Sequence, residues 1–109
     1  MIRKQIENKI NELGYQLGCY DTTLDNILTK KALNQVLSRL EEEYTDVFLR
    51  IRRKLYIVCI STVDSEKDVV IYPSEQYFSL FGNLEEHLDL GDITQSEYDK
   101  IAPKVYRIW

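Results

Sequence analysis

One histidine, His87, stands in the 109 residues, and Glu85, Glu86 and Asp89 lie beside it. Carboxylates next to an imidazole favour its charged form, the usual setting for an acid–base group or a metal ligand. A zinc site needs further ligands at defined spacing, and the chain has no HExxH, no HxH and no second histidine or cysteine near His87. Nucleophilic catalysis needs a serine in a GxSxG elbow or a cysteine with a family signature, and neither is present. His87 therefore reads as a surface histidine.

Other chemistries are argued against in the same way. Phosphate loops need clustered glycines so that backbone N–H groups can reach the ligand, whereas Gly14, Gly18, Gly82 and Gly91 are dispersed. The segment from Asp64 to Asp68 lacks the ligand ladder and central glycine of a calcium loop. Cys19 and Cys59 form no CxxC and are expected as two reduced thiols, Cys59 within a strand and Cys19 in a turn. No catalytic residue, metal or cofactor is expected, and the chain is not expected to be an enzyme.

Charge is the remaining signal. The net charge is −4, but residues 1–54 carry ten basic and eight acidic groups while residues 55–109 carry four basic and ten acidic ones. Two opposite surfaces follow. The acidic one comprises Glu85, Glu86, Asp89, Asp92, Glu97 and Asp99, interleaved with Tyr77, Phe78, Tyr98 and Trp109. Such a face imitates phosphate and suits docking on the basic channel of a nucleic-acid-binding protein. The basic one comprises Lys31, Asn34, Gln35, Ser38 and Arg39, followed by Arg50, Arg52, Arg53 and Lys54, residue types that contact base edges and phosphates. The triplet Glu41-Glu42-Glu43 opposes nucleic acid there. Eight tyrosines add rigid contact area with a polar tip.

These residues must be carried by elements whose periodicity is legible. Ile2, Ile6, Ile10, Leu13 and Leu17 draw one helical stripe, with Gly18 as its stop. Asp21, Thr22 and Thr23 offer N-cap oxygens for a second helix, and Thr29 caps a third carrying Leu33, Val36, Leu37, Leu40 and Tyr44. Val47–Ile51 alternates like a strand, although Tyr44, Val47, Phe48, Ile51 and Leu55 also satisfy helical spacing; β-propensity favours the strand. Arg52-Arg53-Lys54 contains no turn former, so a bulge into the next strand is expected in place of a tight hairpin. Leu55–Val63 is apolar on both parities and reads as a central strand, Asp64 to Lys67 as a turn, and Val69–Tyr72 as the returning strand before Pro73. Three short helices follow, with Thr94 and Glu97 in a capping box and Pro103 as the last stop. The segment Lys104–Trp109 is expected as a final strand or strap.

The expected fold is a single compact α+β domain over residues 1–109: N-terminal helices, a small antiparallel sheet of two or three strands, and short C-terminal helices packed on it. No apolar run approaches a membrane span and the N-terminus lacks a signal-peptide core, so a cytoplasmic location without membrane partners is expected. The size, acidity and absence of catalytic motifs resemble the small inhibitors carried by phages and mobile elements, anti-CRISPR-like and immunity-like proteins among them. That resemblance implies a non-catalytic antagonist acting by binding a protein partner; the oligomeric state stays open and a homodimer is compatible. The alternative is a winged-helix-like transcriptional regulator, since three helices and a hairpin would present the basic residues to DNA.

Overall fold

The computed structural model of the chain describes residues 2–106, which divide into two compact units, Met1–Ile71 and Tyr72–Trp109. The fold is α+β. The first unit contains α1 (Ile2–Glu12), β1 (Gln16–Tyr20), α2 (Leu24–Ile27), α3 (Lys30–Arg39), β2 (Tyr44–Ile51), β3 (Lys54–Val63) and β4 (Glu66–Pro73), the last two residues of β4 opening the second unit. The four strands form one sheet in the order β1-β4-β3-β2, with β1 parallel to β4 and β2 antiparallel to β3. The expected two- or three-stranded antiparallel sheet is thus corrected to a four-stranded mixed one.

The additional strand comes from residues that looked helical. Leu17 continues the isoleucine stripe by spacing, yet α1 ends at Glu12, where Gly14 takes φ 89° and the Tyr15 N–H closes on the Ile10 carbonyl at 3.1 Å. A left-handed residue just past the last turn satisfies the orphan carbonyls and releases the chain. Gly18, expected as the helix stop, lies instead within β1, where the register shifts between Leu17 and Tyr20. A Cβ there would stand 2.3 Å from the Asp68 Oδ1, the atom that accepts the Cys19 N–H at 2.8 Å. Cys19 is therefore an exposed strand residue, not a turn residue.

The β2–β3 hairpin is also tighter than expected. Pairing runs without a shift from Tyr44↔Ser61 to Ile51↔Lys54, leaving Arg52 and Arg53 as a two-residue loop with φ of 52° and 66°. Positive φ at both positions is the geometry that follows the strand twist, and it normally selects Asn-Gly. Here arginine occupies both, so the bulge expectation is overturned by a turn that carries strain. Tyr44, counted with the third helix by spacing, is the first residue of β2. The Glu41–Glu43 triplet opposes the negative end of the α3 dipole and disfavours extending the helix.

One face of this sheet receives the helices. Ile6 and Ile10 of α1, with Leu24, Leu33, Val36 and Leu40 from the α2–α3 segment, form a single buried cluster with Val47, Leu49, Val58, Ile60, Val69 and Ile71. Thr29 caps α3 as expected, accepting the Ala32 N–H at 3.2 Å. Lys67 has the same parity as Val69 and Ile71 and is almost wholly buried. Its ammonium donates to the Glu42 carbonyl at 2.8 Å and lies 4.8 Å from the centre of the Tyr15 ring. Burial pulls its pKa down, against the opposing attraction of Glu43.

The second unit is helical: α4 (Ser74–Phe81), α5 (Leu84–Leu90) and α6 (Gln95–Tyr106), with α6 packed on both of the others. Tyr77, Phe78, Leu84, Ile93 and Ile101 are its buried apolar side chains among the described residues. The capping box is formed in both directions, Thr94 N–H to Glu97 Oε1 at 2.8 Å and Glu97 N–H to Thr94 Oγ1 at 3.1 Å. Pro103 does not end α6 as expected. The helix continues one turn to Tyr106, whose hydroxyl is held by the Glu85 carboxylate at 2.8 Å. Lys104–Tyr106 is therefore helix rather than strand or strap, and residues 107–109, Trp109 included, lie outside the described residues.

Two stability measurements follow. Gly18→Ala must expel the Asp68 carboxylate from its seat and should lower the unfolding free energy by about 2 kcal/mol in urea titration. The double variant Arg52→Asn/Arg53→Gly relieves left-handed strain and should gain about 1 kcal/mol, raising Tm by about 5 °C in a thermal melt.

Candidate functional site

The six acidic residues singled out from the sequence all fall in the second unit, but they are not equivalent. Four have assignments inside the unit. Glu85 on α5 accepts the Tyr98 hydroxyl at 3.1 Å and the Tyr106 hydroxyl at 2.8 Å, so one carboxylate links α5 to α6. Glu97 belongs to the capping box, Asp99 accepts the Gln95 side-chain amide at 2.9 Å, and Asp92 meets His87. Glu86 and Asp89 are exposed on α5. The Tyr106 hydrogen bond, helped by the Glu85 backbone and the Tyr98 hydroxyl, holds the Glu85 carboxyl below the usual glutamate range. The two tyrosines are correspondingly raised by the same carboxylate.

Apolar side chains accompany these charges. Leu80 (60% exposed), Phe81 (52%) and Leu90 (67%) are open to solvent at the ends of α4 and α5, and Tyr106 is also exposed. They went unnoticed in the sequence, although a signal was present. An eight-residue helix carrying Tyr77, Phe78, Leu80 and Phe81 has more apolar positions than one buried stripe can take.

His87 is half-buried, which corrects its reading as a surface residue. Its ring lies 6.1 Å from Tyr77 and 5.6 Å from Phe78, centroid to centroid, and its Nδ1 is 2.9 Å from the Asp92 Oδ2. The imidazole sits in the last turn of α5, where Gly91 at φ 84° turns the chain and the Asp92 N–H returns to the His87 carbonyl at 3.0 Å. The carboxylate partner fixes the orientation of the ring. Among the described residues no three His, Cys, Asp or Glu side chains are grouped to hold a metal. His87 and Asp92 thus close a helix end.

The basic residues named from the sequence lie in the first unit, and the fold brings several of them together. Lys31 and Gln35 on α3 and Arg50 on β2 line one cavity of about 200 Å³, with Thr29 and Phe48. Arg52 lines a second cavity of about 160 Å³ with Lys54, Asn26 and Tyr56. Arg53 is exposed at the hairpin tip and Asn34 on α3. Arg39 is turned to its own helix end, pairing with Glu42 at 2.8 Å; that bond holds the Glu42 carboxyl below its ordinary range.

Of the two thiols, Cys19 is exposed and Cys59 half-buried, and burial, with Asp46 close by, pushes the Cys59 thiol up. No helix among the described residues is long and apolar enough to cross a membrane. Comparison with known protein families, curated proteins and solved structures finds no match to this chain.

The Glu85 link has a pH signature. A carboxyl whose folded pKa is lowered contributes stability above its unfolded pKa and loses it as pH falls through the folded value. Tyr106→Phe should move the Glu85 carboxyl upward toward the ordinary glutamate value, read by NMR titration of its side-chain carbonyl carbon. An unmoved titration would show that the hydroxyl does not set it.

Proposed function

We propose that this chain is a non-catalytic binding protein whose acidic helical unit docks on a basic surface of a protein partner, as an inhibitor or antagonist of the phage or mobile-element type. The observation that carries this is the division of charge between the two units. Residues 1–71 contain eleven basic and eleven acidic groups, so the whole net charge of −4 arises from residues 72–109, with seven acidic groups against three basic. The same unit exposes Leu80, Phe81 and Leu90. Charge orients an encounter and raises its rate, while desolvated apolar anchors supply much of the affinity. A basic nucleic-acid channel on another protein is the surface that answers such a face. The constellations that catalysis would use are engaged in helix closure and capping, which favours binding over chemistry.

Glu86 and Asp89 are the residues for the test, since both side chains are exposed on α5 and take no part in the α5–α6 link, the capping box or the His87 contact. Affinity purification from the native host at low salt should retrieve a basic partner with the parent chain. The Glu86→Lys/Asp89→Lys variant, with unchanged circular dichroism, should capture it at least about ten-fold less. Equal capture by both would reject the acidic face.

A further inference from the structure

We infer that the cavity beneath the tip of the β2–β3 hairpin is a binding site for a small aromatic anion, a single ring carrying a carboxylate or phosphate group. Cross-strand pairing sets Leu49 against Tyr56 and Ile51 against Lys54, so these four side chains share one face of the sheet. It is the face that receives the helices: Leu49 and Ile51 belong to the buried cluster, and Tyr56 and Ile27 of α2 pack against it. The cavity, of about 160 Å³, lies between this end of the hairpin and α2.

Floor and rim differ in chemistry. Ile51 is buried, Ile27 and Tyr56 are half-buried, and the three give an apolar floor with one aromatic wall. Arg52, Lys54 and Asn26 are exposed and give the rim two cations and an amide. No acidic side chain is among the described lining residues. Asp25, beside Asn26 in the chain, directs its Oδ1 to the Tyr20 hydroxyl at 2.8 Å and the Arg3 N–H at 3.2 Å. An apolar cavity of about 150 Å³ holds one benzene molecule, so this floor has room for a single ring. The rim answers one anionic group attached to that ring. Guanidinium and ammonium groups take carboxylates and phosphates alike, and a guanidinium plane also stacks on an aromatic face. A few convergent polar groups over an apolar floor is the usual construction of a small-molecule site.

The hairpin backbone supplies a separate reason. Arg52 and Arg53 occupy two left-handed positions that Asn-Gly would fill without strain. Strain of this kind collects at ligand clamps, and here the strained turn is what places Arg52 in the rim. The site is built wholly from the first unit, so it stands or falls independently of acidic docking by the second.

The experiment is an amide NMR titration of the full chain with benzoate, phenyl phosphate, benzyl alcohol, cyclohexanecarboxylate and acetate. Benzoate or phenyl phosphate should shift the amides of Asn26, Ile27 and residues 51–56 with a Kd of about 1 mM, within reach of a ligand of about ten heavy atoms. The tighter of the two names the anionic group. Acetate lacks the ring and benzyl alcohol the charge, and each should bind at least about ten-fold more weakly. Cyclohexanecarboxylate offers no aromatic face to Tyr56 and Arg52 and should bind about three-fold more weakly. Arg52→Asn/Arg53→Gly should weaken the tighter aromatic anion at least about five-fold while melting above the parent, so the loss is not one of folding. Lys54→Glu should abolish binding. No shift of these amides by either aromatic anion, equal affinity for any of the three comparison ligands, or full affinity in either variant would each overturn the inference.

Discussion

Strand parity is the constraint on which the rest of the first unit depends. Every second residue of β3 and β4 must face the helices, and Val58, Ile60, Val69 and Ile71 accept that placement readily. Lys67 has the same parity and cannot avoid it without shifting the whole strand by one residue. A buried ammonium is tolerated only where its donors are met. The α3–β2 turn brings the Glu42 carbonyl to it, and the Tyr15 ring covers it just before β1 begins. Two segments joining helices to strands are thereby fixed by one cation that the sheet could not turn outward.

The parallel β1–β4 pairing rests on a second close approach. Parallel strands need a crossover, and here β1 reaches the sheet directly after α1, beside a strand near the end of the unit. Gly18 admits the Asp68 carboxylate into the irregular part of β1, and the Cys19 N–H displaced from the ladder finds its acceptor there. The polar group released by the irregularity is satisfied by a side chain of the neighbouring strand.

How far these features were legible depends on whether their cause was local. The α1 stripe, the Thr29 cap, the two-parity burial of β3 and the Thr94–Glu97 box are set within a few residues, and the sequence displays them. Leu17 was misplaced because a four-residue step is as compatible with the helical stripe as with a strand, and only pairing with β4 decides. The Arg52-Arg53 turn was invisible because neither residue favours positive φ; eight cross-strand pairs impose it. Pro103 was taken for a stop because the Tyr106–Glu85 contact lies 21 positions apart in the chain. For the candidate surfaces, charge segregation was visible, but not which charges were engaged. Glu85, Glu97 and Asp99 look alike in sequence, and only geometry reveals them as a link, a cap and an intrahelical partner. The basic set was likewise divided, Lys31, Gln35 and Arg50 meeting at one cavity while Arg39 pairs with its own helix end.

The position of β2 at the border of the sheet has a consequence for how the molecule behaves in a crowded solution. A border strand offers unpaired backbone groups to any other extended chain, and Tyr44 to Ile51 includes Val47, Phe48, Leu49 and Ile51, a segment prone to self-association. Asp46 and Arg50 interrupt that run with opposite charges, both exposed, and the Glu41–Glu43 triplet precedes it. A second strand adding there would have to desolvate or face those charges along its length. The side chains that colour the surface electrostatically also act as gatekeepers against fibrillar growth.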